Sequence, residues 1–191
     1  MQNIEKSASV KDFVIGVGGD HSISFGFIKA FSKKFKERAL VYFDAHLDCQ
    51  DDWLPPSHED ILRAVVKQGF VKPENILVIG ARTWTQRELD FVKEKKVKIG
   101  KLEDVSDFIK DKKNLYISID IDVVDPAFAP GTGWPEKDGI SENQLLEALK
   151  ILSNSGKVRG LDVVEVCPRK DVKNKTIKLA AKALRVFLSE S

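Results

Sequence analysis

The run Leu115-Tyr116-Ile117-Ser118-Ile119 closes on two aspartates, Asp120 and Asp122, separated by one isoleucine. β-Branched and aromatic residues in so short an apolar run predict a strand buried on both faces of a parallel sheet. Side chains two apart on a strand share a face, so both carboxylates are expected to converge on one spot. Burying two unpaired carboxylates together would cost several kcal/mol each. Either a cation lies between them, or the strand ends early and both meet water.

A second apolar run, from Ala39 to Phe43, continues into Asp44-Ala45-His46-Leu47-Asp48. Asp44, His46 and Asp48 alternate at period two, and on an extended backbone all three would face one side. One carboxylate there could be a turn residue, but three potential ligands in alternation point to a metal. Cys49 reads as a bystander, because hard carboxylates dominate its surroundings.

The rest of the chain supplies the frame. Asp12 to Gly19 predicts a short strand running into a glycine turn, followed by Asp20-His21-Ser22 and a helix marked by Ile23, Phe27, Ile28, Phe31 and Phe35. Ser22 is the expected helix cap. His21 falls at a strand-to-helix turn, where parallel sheets place ligands, and is either a ligand or a structural histidine. Residues 50–57 predict a loop, with His58 at its end before a helix carrying Ile61, Leu62, Val65 and Val66. Further strands are expected at 75–80, at 97–99 on an edge, and at 160–166, with helices near 85–95, 102–110 and 174–188. Trp84 is expected to pack. Ser141 should cap the helix of Leu145, Leu149 and Leu152. The loop at 123–141, with its prolines and glycines, is long enough to be functional. Strands alternating with helices, without hairpin signals, predict a single three-layer α/β/α domain with a mostly parallel sheet of about six strands.

All the candidate ligands then belong at the carboxyl edge of one sheet. Four aspartates carry four negative charges, which two divalent cations would cancel. Nitrogen and oxygen donors without thiolate favour manganese-like or zinc-like ions. Two such ions sharing a water would make hydroxide available near neutral pH.

These residues carry a resemblance. Gly18-Gly19-Asp20-His21-Ser22, Asp44-Ala45-His46-Leu47-Asp48, Ser118 to Pro126, the loop Ala127 to Gly133 with Pro135-Glu136, and Val164-Glu165-Val166 resemble, in order, the motifs of the ureohydrolases, the arginase and agmatinase family. The resemblance implies a hydrolase that splits a guanidinium group to urea and an amine with two Mn2+ ions, other divalent ions being possible. His21, Asp44, Asp48 and Asp120 would hold one ion; Asp44, His46, Asp120 and Asp122 would hold the other, with Asp44 and Asp120 bridging. His58, Glu165 and Asp122 are the implied catalytic residues. Glu165 would pair with the guanidinium, Thr132 would line its pocket, and His58 would shuttle a proton to the leaving amine. The Leu47 motif and the short loop before Ser57-His58 are similar to microbial and archaeal agmatinases, which implies agmatine as substrate and putrescine and urea as products. Acidic Asp51 and Asp52 would suit a substrate amine, or are a solvated turn. The alternatives are an arginase or other guanidino-acid hydrolase, and a truncated metal-binding relative without turnover.

Charge excludes some partners. With 31 basic and 29 acidic residues, scattered, neither nucleic acid nor a membrane is expected. Two cysteines predict no disulfide framework, and so a reducing cytoplasm. The chain begins almost on the Gly18-Gly19-Asp20-His21 motif, where family members place two further strands, so it reads as N-terminally short. The strand at 13–17 should then be an exposed sheet edge. Ile4 and Val10 give residues 1–12 little apolar cover, so a homo-oligomer meeting near that edge is expected.

Overall fold

The computed structural model describes residues 13–188. Six strands, β1 (Val14–Val17), β2 (Arg38–Phe43), β3 (Ile76–Ile79), β4 (Lys98–Gly100), β5 (Asn114–Asp120) and β6 (Val158–Val164), form one sheet in the order β1-β6-β5-β2-β3-β4. Every pairing is parallel. The predicted strands are all present, and β1 and β4 are the edges. Residues 1–12, expected to cover β1 poorly, lie outside the described residues.

Alternation along the strands divides the core into two layers. On one face Ala39, Val41, Phe43, Ile117, Ile119, Leu161 and Val163 meet α4 (Asp104–Phe108), α5 (Glu142–Asn154) and α6 (Lys175–Leu188). On the other face Leu40, Tyr42, Ile76, Val78 and Tyr116 meet α1 (Ile23–Lys34), α2 (Ile61–Lys67) and α3 (Gln86–Lys95). Each fully buried aliphatic side chain of these layers contributes roughly 1.5–3 kcal/mol over its exposed state. Capping boxes start two helices, Thr85 with Glu88 at α3 and Ser141 with Gln144 at α5. Ser22 does not cap α1 as expected: its own backbone is already helical and its side chain makes no capping bond. Asp20 holds that turn instead, accepting from the Ser22 backbone N–H at 3.1 Å.

Chain order fixes where a ligand can sit. From β2 the chain winds outward through α2 and α3 to β3 and β4. It then crosses to the other side of β2, laying down β5 and β6 with α5 between them. The order reverses between β2 and β5, and a crevice opens at their carboxyl ends. Asp44 follows β2, and Asp120 ends β5.

Candidate metal centre and active site

Neither ligand segment stays extended. β2 ends at Phe43, and Asp48 takes a left-handed backbone with φ 46°. β5 ends at Asp120, and Ile121–Val123 form a single 3-10 turn. The expected simple alternation therefore fails in both places. The side chains converge through local hydrogen bonds instead. Asp44 Oδ1 accepts from the His46 N–H at 2.7 Å, and Asp120 Oδ1 accepts from the Asp122 N–H at 2.9 Å. Asp122 Oδ1 in turn accepts from the Ala45 N–H at 3.0 Å, which laces the two segments together.

Two ligand groups result, His21 with Asp44 and Asp48, and Asp44 with His46 and Asp122. In the first, Nδ1 of His21 lies 3.1 Å from Asp44 Oδ2, 3.1 Å from Asp48 Oδ2 and 3.2 Å from Asp120 Oδ2. In the second, Nδ1 of His46 lies 2.9 Å from Asp122 Oδ2 and 3.4 Å from Asp44 Oδ1. Asp44 thus turns one oxygen to each group, and its Oδ2 is buried without a hydrogen-bond partner. One imidazole N–H cannot serve three carboxylate oxygens, whereas a divalent cation can. Burial, helped by the charges of Asp48 and Asp122, pushes the Asp44 carboxyl up to about 7. Burial opposes charge on His46, but its hydrogen bonds to Asp122 and Asp44 prevail and raise it to about 11. The donor set fits two hard or borderline divalent ions.

Buried partners hold the first group. Tyr42 donates to Asp48 Oδ2 at 2.6 Å and stacks on His21 at 4.8 Å between ring centroids. Nε2 of His21 meets Ser118 Oγ at 2.9 Å; Ser118 donates to Asp162 Oδ1 at 2.8 Å, and Tyr116 donates to Asp162 Oδ2 at 2.7 Å. A carboxylate only accepts, so Asp162 orients this chain and leaves Nδ1 of His21 free of hydrogen for a cation. Glu88 reinforces the Asp48 segment, accepting from the Cys49 N–H at 3.1 Å and from Gln50 Nε2 at 3.1 Å. Sequence reasoning passed over Asp162, Tyr42 and Glu88. A signal existed for Asp162, a lone acid between Leu161 and Val163 in a buried strand.

A cavity of about 350 Å³ opens over the cluster. His58 and Glu165 line it together with His21, His46, Asp48, Asp120 and Asp122, so the expected catalytic pair faces the expected ligands. Glu165 sits just past β6 with φ 61°; burial raises its carboxyl, opposed by the His21 backbone N–H and the nearby His58 charge. Trp84, expected to pack, walls the cavity with Trp134. Thr132 is buried, bridges Val166 next to Glu165, and is not among the residues lining the cavity; its Oγ1 has no hydrogen-bond partner. Asp51 and Asp52 do not reach the cavity either: Asp51 pairs with Arg87, and Asp52 with Arg63 and Lys67.

A parallel α/β sheet carries two acid–histidine groups able to hold metal ions at its switch point, under a cavity with its own carboxylate. Residues 1–189 match the arginase family model, and the chain belongs to the arginase family. Among its relatives, the agmatinase of Halalkalibacterium halodurans is 36% identical over 97% of this chain and 66% of its own length. The chain thus spans just under two thirds of that protein. The native arginase structure of Bacillus caldovelox superposes with a TM-score of 0.86 at 26% identity, covering 100% of this chain and 75% of that one. The proclavaminate amidino hydrolase of Streptomyces clavuligerus gives 0.89 at 28% identity, covering 98% and 68%. No helix among the described residues is long and apolar enough to cross a membrane.

Proposed function

We propose that this chain hydrolyses the guanidinium group of a small substrate that carries a second positive charge, most simply agmatine, releasing urea and putrescine. The observation that carries this reading is the lining of the cavity: seven carboxylates, three histidines, and no lysine or arginine. Three of those carboxylates belong to the ligand groups. Glu88 is engaged in its capping box, which leaves Glu59, Glu136 and Glu165 for substrate. An arginine-type substrate would bring an α-carboxylate into this acidic space with no cationic partner, whereas a free ammonium would meet Glu59 or Glu136.

When bound, two divalent ions such as manganese would supply an activated water near neutral pH. His21, Asp44, Asp48 and Asp120 would hold one, and Asp44, His46, Asp120 and Asp122 the other. Glu165 accepts two parallel N–H bonds from the guanidinium and fixes its carbon over the cluster. His58, at the cavity wall, carries a proton to the departing amine, a role suited to imidazole near neutrality. Trp84 and Trp134 narrow the entrance and limit bulk water. A reducing cytoplasm is the setting this reading assumes.

The test is urea release from manganese-loaded protein given agmatine, arginine and guanidinobutyrate separately. Urea from agmatine at a kcat/KM at least about a hundredfold above arginine is the expected result, since an unpaired carboxylate costs several kcal/mol. Comparable turnover of arginine would make the chain a guanidino-acid hydrolase. No urea from any of the three would make it a metal-binding relative without turnover.

A further inference from the structure

Arg82 follows β3 and is half-buried beside the cavity without lining it. Its guanidinium has five N–H donors, and each finds a backbone carbonyl. Nε donates to Lys137 O at 2.7 Å. Nη1 donates to Gly80 O at 3.0 Å and Val123 O at 3.3 Å. Nη2 donates to Asp122 O and to Glu136 O, both at 2.8 Å. The backbone joins in, because the N–H groups of Arg82 and Thr83 both donate to Ala45 O, at 2.8 and 3.0 Å.

These contacts converge on one of the two ligand groups. Ala45 lies between Asp44 and His46, and Asp122 is the third member. Glu136 adds an indirect grip: its Oε1 lies 3.7 Å from Nε2 of His46, so fixing the Glu136 carbonyl steers the carboxylate beside that ring. The first group shares only Asp44 with these contacts, beside the Ala45 carbonyl that main-chain N–H groups hold. It is held through Tyr42, Ser118 and Asp162, none of which touches Arg82 among the contacts above.

We propose that the Arg82 side chain is the positioning group of the His46–Asp122 side of the second metal group: it fixes the Asp122 and Glu136 carbonyls, while Asp44, shared by both groups, is held through Ala45 by main-chain N–H groups that a side-chain substitution leaves in place. The inference rests on reading the second group as a metal site. A guanidinium suits the task because its planar fork places five donors in fixed directions, which an ammonium on a flexible stem cannot do. Supporting groups of this kind typically govern about 10–100-fold in metal affinity.

The experiment is manganese titration of metal-free protein by calorimetry, with electron paramagnetic resonance to distinguish paired from isolated ions. Arg82→Gln is expected to weaken the second binding event about 10–100-fold and replace the paired signal with an isolated one. The first event should stay within about threefold of wild type, a range small against that expected loss. Arg82→Lys, which keeps the charge and reaches fewer carbonyls, should fall between the two and guards against an unfolded Gln variant. Two ions bound as tightly in both variants as in wild type would overturn the proposal. Equal loss at both groups would also overturn it, since that is what a general packing role predicts. A wild-type protein that takes only one ion would instead overturn the two-metal reading, and this inference with it.

Discussion

Glu165 Oε1 accepts the backbone N–H of His21 at 2.8 Å, so the acid at the end of β6 is tied to the first histidine of the cluster. Each oxygen keeps lone-pair capacity for substrate, one lone pair on Oε1 beside the His21 bond and both on the other oxygen. Glu165→Gln keeps a carbonyl acceptor for His21 and loses only the charge. It should therefore retain both metals and lose roughly 2–5 kcal/mol of transition-state stabilisation, the value of a charged partner to a desolvated guanidinium. Elemental analysis and urea assay together check this. Loss of metal in this variant would put Glu165 among the ligands.

Asp44 faces both groups, so Asp44→Asn should weaken both binding events. Asp48→Asn should weaken mainly the event that includes His21. Calorimetric titration of the two variants separates these outcomes. Two tight ions in Asp44→Asn would remove it as the bridge.

Ser118→Ala takes the proton from Asp162 and the acceptor from His21 at once. Leaving a buried carboxylate short of a donor costs about 1–3 kcal/mol, and more where it is charged. Urea denaturation of metal-free protein should show that loss, and the first binding event should weaken about tenfold. Unchanged stability would mean that water or Ser24 replaces the hydroxyl.

Metal loading must expel protons. His46 is raised in the folded, metal-free protein to about 11, against an ordinary value near 6.5. A raised histidine stabilises the fold fully below its unfolded pKa and loses that contribution as pH climbs through its folded pKa. Metal-free protein should accordingly lose stability between about pH 6.5 and 11, while manganese affinity rises over the same window. Calorimetry at pH 7 in two buffers of different ionisation enthalpy should reveal proton release. Equal heats in the two buffers would contradict a proton held at the cluster.

β1 pairs only with β6 among the described residues, and Val17 on it is 70% exposed. Such an edge recruits other strands. We expect self-association at micromolar concentration, with Val14–Val17 at or near the contact, measured by light scattering and by crosslinking from that strand. A monodisperse monomer would refute it. An oligomer joined wholly at the β4 side would refute the assigned surface.

Much of this was legible in the residues. Buried parallel strands announce themselves as apolar runs, and every one of the six could be placed, including β4 as an edge. The ligand residues were legible because acids and histidines cluster at the ends of those runs. Their geometry was not, because Asp48 adopts φ 46° and Asp122 sits on a 3-10 turn, and neither has a local signal beyond the aspartates themselves. Arg82 was invisible for a different reason. It binds only main-chain carbonyls, and no side-chain pattern records which carbonyls will be within reach. Asp51 and Asp52 were legible only as alternatives, and their exposed pairs with Arg87, Arg63 and Lys67 favour the solvated turn over a substrate contact.

The sheet order also sets a timetable. β6 is the last strand in the sequence, yet it separates β1, the first, from β5. Among the described residues, β1 has no strand to join until residues through Val164 have been made. The strand carrying the chain into His21 pairs with one 146 residues later (Val14 with Gly160), whereas β2, β3 and β5 can pair earlier. Pairings so distant in sequence are the slow ones in folding. The His21 end of the cluster can close only after β6 has joined β1 to β5, so a tightly held ion there reports that this long-range pairing has formed.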